Sequence, residues 1–215
     1  MKLENELAKY REIFEDELHN NILVYWMKYG VEKEGNGFYG AVDLANKPVP
    51  GAPKTSVLNA RILWTFAATA KAYPGRGYEE MAHKAWRVVM ENFADKVNGG
   101  FYMELSHSNE VVNDCKHTYA QAFVIYSMCK YYEFNSTEEV LNEIKEFFRF
   151  LDGKTKDPDN PGYLESFTRD WKLNEENRLT IPLHFTGTTG KLILGNARTI
   201  TAGQCSNWWN VSTVF

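Results

Sequence analysis

The sequence is poor in the features that mark several common protein classes. It has three cysteines, Cys115, Cys129 and Cys205. An odd number at no framework spacing excludes a disulfide-stapled scaffold and points to reduced thiols in a cytoplasmic protein. No run of about 18 apolar residues occurs, so neither a membrane-spanning helix nor a membrane partner is expected. The opening residues, Met1 to Glu6, include no apolar signal core, and no export is expected. Positive charge is not in excess either. The 24 Lys and Arg against 28 Asp and Glu leave a formal charge of −4. That argues against a nucleic-acid partner, because a phosphate backbone is held by a basic stripe.

Several chemistries are also missing. No His-Glu-x-x-His, Cys-x-x-Cys or clustered carboxylate–histidine spacing occurs, so no metal site is expected. Gly187-Thr-Thr-Gly190-Lys191 falls short of a phosphate-binding loop. That loop needs glycine where Phe185 stands and Ser or Thr where Leu192 stands. No Gly-x-Ser-x-Gly elbow is present.

What is abundant is aromatic side chains: 12 Tyr, 13 Phe and 6 Trp. Two readings stand. Rings fill a thick helical core, or they line a sugar pocket, where the apolar faces of a pyranose stack on them and its hydroxyls meet polar groups.

Periodicity places the helices. Leu3, Leu7, Tyr10, Phe14, Leu18, Ile22 and Trp26 recur at spacings of three and four and predict a helix over residues 2 to 28. Residues 55 to 73, with Leu58, Ile62, Leu63, Trp64, Phe66, Ala67 and Ala70, are apolar nearly all round, as a helix buried on most sides is. Residues 78 to 93 are amphipathic, 117 to 133 again mostly apolar, and 137 to 151 amphipathic. Ser136 and Glu139 have the spacing of a capping box for the last of these.

Buried and amphipathic helices therefore alternate, and a similar turn lies between pairs. It reads Asn36-Gly37-Phe38-Tyr39, then Asn98-Gly99-Gly100-Phe101-Tyr102, then Pro161-Gly162-Tyr163-Leu164-Glu165. The glycines at 37, 100 and 162 make an internal repeat of about 60 residues. A helix pair cannot bury both its faces alone, so pairs stack side by side. The expected fold is all-α: an incomplete (α/α)6 barrel, a toroid of helix pairs with short Gly-aromatic hairpins at the junctions, over residues 1–176. An open solenoid is the alternative. Residues 177–215 lose all period and are expected to be an irregular tail.

Four segments carry candidate chemistry. Arg61 lies in Leu58-Asn-Ala-Arg-Ile-Leu-Trp-Thr-Phe66, a charge inside an apolar helix, and burying a charge without a partner is costly. It either points into a cavity to bind a sugar oxygen or an enolate, or makes a structural salt bridge. His117 and Tyr119, in Lys116-His-Thr-Tyr-Ala-Gln-Ala-Phe123, stand where a helix begins and either bind a substrate hydroxyl or are structural. Glu165 and Trp171, in Glu165-Ser-Phe-Thr-Arg-Asp-Trp171, contribute an acceptor and a stacking ring at a pocket mouth, or belong to a surface ion-pair cluster. His184 follows the third turn by about the interval that separates the first turn from Arg61.

The repeat with Asn98-Gly-Gly-Phe-Tyr102 and the first three of these segments, in the right order over roughly residues 5 to 175, closely resemble the N-acylglucosamine 2-epimerase family, and its cellobiose-type members look nearest. The resemblance implies cofactor-free epimerisation at C2 of a reducing-end sugar through a cis-enediolate. A base takes the C2 proton and an acid returns one to the opposite face. Arg61 matches the family's active-site arginine, Tyr119 a pocket tyrosine and His184 the first of three active-site histidines. The other two lie in the family's second half, beyond residue 215, so this shortened chain is expected to be inactive and prone to expose helix edges. The family's asparagine four residues before the first histidine is here Thr180. A shifted reading frame beginning near residues 177 to 185 would account for the tail. Removing one T from a TTT codon for Phe185 permits His-Leu-Leu-Glu and, three residues later, Asn-Leu-Tyr, which resembles the family's continuation. Two other functions remain open: a non-catalytic carbohydrate-binding fragment, and a toroidal glycoside hydrolase or lyase, which would want paired carboxylates across the cavity.

Overall fold

Helices in two layers, joined by short antiparallel hairpins, make up most of the described residues. The computed structural model describes residues 2–35, 37–178 and 180–181. α1 (Lys2–Asp16) runs on through a π-helical turn (Glu17–Ile22), one α-helical turn, α2 (Leu23–Tyr25), and a second π-helical turn (Trp26–Gly30). These wide turns change which residues face the core. The periodicity put Ile22 in the buried stripe, but Ile22 is exposed and Leu23 is buried. Bonding from i to i+5 takes up more residues per turn than an α-helix, so the stripe moves on by one residue. Leu3, Leu7, Tyr10 and Phe14, at the start of the same stripe, are exposed.

The strands are short. β1 (Lys54–Thr55), β2 (Glu104–Leu105) and β3 (Val111–Asn113) form an antiparallel sheet in that order. β4 (Lys116–His117) pairs with β6 (Ser166–Phe167), and β5 (Tyr163–Leu164) pairs with β7 (Thr180–Ile181), both antiparallel. β1 leads into α3 (Ser56–Ala72) and β4 into α5 (Thr118–Phe134). These two helices pack directly on each other as the inner layer. Both are apolar on nearly every side, and bury Leu63, Phe66 and Ala67 from α3 and Val124, Ile125 and Met128 from α5.

The outer helices bury one face each. α4 (Tyr78–Arg87), prolonged by a π-helical turn (Val88–Phe93), lies on α3 through Met81, Ala82 and Ala85. α6 (Glu138–Thr155) lies on α5 and buries Val140 and Ile144 in the shared core, while Leu151 packs in a separate cluster with Leu164, Phe167 and Trp171. Its cap falls one residue later than the Ser136 spacing predicts. The Val140 N–H donates to Thr137 Oγ1 at 3.4 Å. Ser136 Oγ instead donates to the Tyr132 carbonyl at 3.0 Å, engaged by the last turn of α5. Among the described residues Cys115 is a free thiol.

The repeat goes deeper than its glycines. Each Gly-aromatic turn begins at an acid, Glu32, Asp95 or Asp157, and the acid's own N–H donates to the carbonyl of Gly37, Gly100 or Gly162 at 3.1, 2.8 and 3.0 Å. Its side chain then collects donors from inside the turn. Glu32 Oε2 accepts from Gly37 N, Asp95 Oδ1 from Val97 N and Asn98 N, and Asp157 Oδ1 from Asp159 N and Asn160 N. A residue on a later strand closes each unit. The buried Lys54 pairs with Glu32 and the buried Lys116 with Asp95, while Thr180 Oγ1 donates to Asp157 Oδ2. Thr180 and Ile181 thus complete the third hairpin, within the stretch expected to be irregular. Thr180 Oγ1, where the family resemblance calls for asparagine, is committed to that turn.

Candidate functional site

Both inner helices start from the hairpin layer, so their first turns lie at one end of the molecule. Arg61, in the second turn of α3, is exposed rather than buried, and its guanidinium lies 5.0 Å from the centre of the Phe123 ring on α5. That contact is a cation–π arrangement. Among the described residues Arg61 forms no ion pair with a carboxylate, so its charge is turned outward and uncompensated. Phe123 in turn meets Tyr119 edge to face, with centroids 4.9 Å apart. Tyr119 is 43% exposed on the same run of side chains.

The β4–β6 ladder brings the second and third sequence segments together. His117 pairs with Ser166 across it, and the Thr118 N–H donates to the Glu165 carbonyl at 2.9 Å. The Glu165 side chain reaches the same place. Oε1 lies 3.3 Å from His117 Nδ1, and Oε2 accepts from the Tyr119 N–H at 3.2 Å. The Thr118 hydroxyl adds a bond to the Leu164 carbonyl at 2.5 Å. The Cys115 side chain and then the Glu165 carboxylate favour the charged imidazole, and they raise the His117 pKa well above the ordinary histidine value. His117 therefore stands as a cation in the neutral range. Its side chain is 36% exposed.

Behind this surface lies a buried charge network. Lys116 Nζ meets Asp95 Oδ2 at 3.0 Å, and both side chains are 0% exposed. Arg169 Nε also donates to Asp95 Oδ2, at 3.2 Å, and its Nη2 donates to the Tyr102 hydroxyl at 3.0 Å. Burial works against the Asp95 charge. The Lys116 ammonium and the donors of the Val97–Asn98 turn outweigh it and hold the carboxyl far below the usual range. This network locks the second hairpin to the third. Asp95 escaped the sequence reading, although the acid five residues before each repeat glycine was a visible signal.

Trp171 lies apart from the exposed run. It is 8% exposed, and its Nε1–H donates to the Asn98 carbonyl at 3.0 Å, with the Gly99 carbonyl at 3.3 Å. Phe150 meets it edge to face, 5.2 Å between centroids. Its ring is an anchor between the third hairpin and the double-glycine turn. Arg61, Tyr119, His117 and Glu165 are thus brought to one region and Trp171 is not. His184 lies outside the described residues. Among those described, no group of three or more His, Cys, Asp or Glu side chains is arranged to hold a metal ion.

The arrangement presents a guanidinium, a phenol and a charged imidazole beside apolar ring faces, the combination that recognises a polyhydroxylated ligand with a developing oxyanion. Comparison with known proteins places the chain. The family model for N-acylglucosamine 2-epimerase (GlcNAc 2-epimerase) matches residues 37–186. Cellobiose 2-epimerase of Bacteroides fragilis is 33% identical over 170 residues, 79% of this chain and 43% of the relative. That of Dictyoglomus turgidum is 33% identical over 164 residues, 76% of this chain and 41% of the relative. The structure of cellobiose 2-epimerase from Spirochaeta thermophila aligns at 29% identity with a TM-score of 0.74, over 87% of this chain and 45% of that one. The chain thus spans less than half the length of the relatives it matches. Its two helix layers are an arc of the α/α toroid, and it belongs to the N-acylglucosamine 2-epimerase family of sugar epimerases.

Proposed function

We propose that this chain serves epimerisation at C2 of a reducing-end glucose unit, as in cellobiose, without a cofactor. Ring opening exposes the aldehyde, whose carbonyl makes the C2 proton acidic. A base takes that proton, a cis-enediolate forms, and an acid delivers a proton to the opposite face of C2. Arg61 holds the developing oxyanion, Tyr119 hydrogen-bonds a neighbouring sugar oxygen, and His117 adds a second cationic donor at the mouth. His184 is proposed as a further active-site residue on the family resemblance alone. The observation that carries this reading is Arg61: an exposed guanidinium, over the Phe123 ring, with no carboxylate partner among the described residues. Preorganised positive charge of this kind stabilises an enediolate more than it stabilises the substrate.

The two histidines that transfer the proton in the family are expected from its second half. Residues 1–215 alone are therefore proposed to bind the sugar and not to turn it over. The test is a titration of residues 1–215 with cellobiose, followed by incubation in deuterated water. Saturable binding that weakens on Arg61→Ala, with no deuterium at C2, is the expected result. Deuterium incorporation at C2 would overturn the division of labour, and release of glucose would overturn the isomerase reading in favour of a hydrolase.

A further inference from the structure

Glu165 looks like an acceptor for substrate hydroxyls, yet both of its oxygens are already engaged by the protein. Oε1 faces His117 Nδ1 at 3.3 Å and Oε2 accepts the Tyr119 N–H at 3.2 Å. The carboxylate comes from the single residue between β5 and β6 and sits over the first turn of α5, whose own N-cap residue, His117, makes no side-chain capping bond. The first N–H groups of a helix have no partner within it, and a negative group there is favoured by the helix dipole. Glu165 supplies that cap from another segment. The Thr118 N–H and hydroxyl bond to the Glu165 and Leu164 carbonyls, at 2.9 and 2.5 Å, and fix the same junction.

We infer that Glu165 is a positioning residue of the proposed sugar site, which caps α5 and clamps the His117 ring so that His117 and Tyr119 are presented together, and does not itself receive the sugar. This rests on the proposed function for what the site binds, but the clamp is a property of the protein alone. It implies a particular charge state. Cys115 and then Glu165 favour the protonated imidazole, which can only donate. Two titratable groups act on His117, the Cys115 thiol on its own strand segment and Glu165 from the third hairpin. The contribution of Glu165 is isolated by working in a Cys115→Ser background.

The experiment follows the His117 imidazole by NMR as pH is raised from 5.5 to 9, in Cys115→Ser and in Cys115→Ser/Glu165→Gln. The glutamine keeps the shape and loses the charge. The expected result is a midpoint that falls by at least about one pH unit toward the ordinary histidine value on Glu165→Gln. Cellobiose affinity should fall with it at pH 8 and recover at pH 5.5, where the imidazole recharges, a rescue that a purely structural defect would not give. Glu165→Asp, which keeps the charge on a shorter arm, should retain the midpoint of Cys115→Ser to within half the Gln shift, and Glu165→Ala, which removes the charge and should lower the midpoint as the glutamine does, serves as the second variant if the glutamine protein does not fold. An unchanged His117 midpoint in Glu165→Gln, or in Glu165→Ala where that is the protein that folds, overturns the clamp. Absence of cellobiose binding in every protein overturns the site reading instead, and leaves the His117 titration to decide the clamp by itself.

Discussion

Gly100 and Trp171 approach so closely that a Cβ atom on the glycine would lie 2.6 Å from Trp171 Cζ2. The same atom would lie 3.0 Å from Gln121 Oε1, and Gly100 has a φ of +71°. Gln121 has little room to move, because its side-chain amide bonds both ways to the backbone of Phe101, at 2.9 and 2.8 Å. Two penalties therefore coincide. A left-handed residue with a side chain costs about 1–2 kcal/mol, and forcing an atom into a packed site costs about 1–3 kcal/mol more. Gly75 separates them, since it has a φ of +81° and nothing within 4 Å of a built Cβ. Gly75→Ala should lower stability by the first amount only and Gly100→Ala by the sum, read as urea midpoints. Equal losses would mean that the Trp171 contact carries no weight.

The second prediction concerns Asp95 and Lys116, whose side chains have no exposure at all. Asp95→Asn leaves a buried ammonium without its counter-charge and should cost about 3–5 kcal/mol. Adding Lys116→Met removes the orphaned charge and should restore part of that loss. The pH dependence follows from the direction of the shift. Asp95 titrates lower in the folded chain than in the unfolded one. Its stabilisation is thus fully present above the unfolded value, about pH 4, and is lost as pH falls toward the folded value. Denaturant titrations between pH 5 and pH 2 should show this acid sensitivity in the parent chain and a weaker one in Asp95→Asn/Lys116→Met.

These two pairs also mark how far the sequence could be read. The helices were legible because burial on all sides or on one side writes itself into apolar spacing, as in α3 and α4. The repeated turn was legible because positive-φ positions select glycine. Ile22 and Leu23 exchanged places because a π-helical turn leaves no composition signal. Arg61 was legible as an anomaly, a charge in an apolar run, although only the fold reveals that its partner is a ring and not a carboxylate. The bond between Trp171 and Asn98 could not be read, since nothing local in either segment says that 73 residues later a ring will cover that turn. The same holds for the Glu165–His117 contact, which depends on β4 pairing with β6.

Trp171 provides the third prediction. Its ring is a structural anchor, so Trp171→Phe should remove the Nε1 donor and part of the ring, and destabilise by about 1–3 kcal/mol through the unpaired Asn98 carbonyl. Affinity for cellobiose should stay unchanged in the protein that remains folded. A loss of affinity without a loss of stability would place the Trp171 ring in the site after all, and would argue for an alternative position of the third hairpin in solution.

Arg61 and Phe123 provide the last. Arg61 is exposed, and its one described contact is the Phe123 ring 5.0 Å away, so truncating it should alter stability by no more than about 0.5 kcal/mol. Binding should respond much more, because a charge-assisted hydrogen bond contributes about 1.5–3 kcal/mol, equivalent to about 10- to 150-fold in affinity. Arg61→Lys tests whether charge alone suffices. Lysine is a point charge without the planar fork, and it stacks less well on a ring. It should therefore recover only part of the affinity lost in Arg61→Ala. Phe123→Leu keeps Arg61 but removes the surface that orients it, and should weaken binding in the parent chain while changing little once Arg61 is alanine. That loss of additivity is the signature of a ring that acts through the arginine. Additive effects would mean that Phe123 contacts the sugar by itself, and that the guanidinium and the ring are two separate recognition elements.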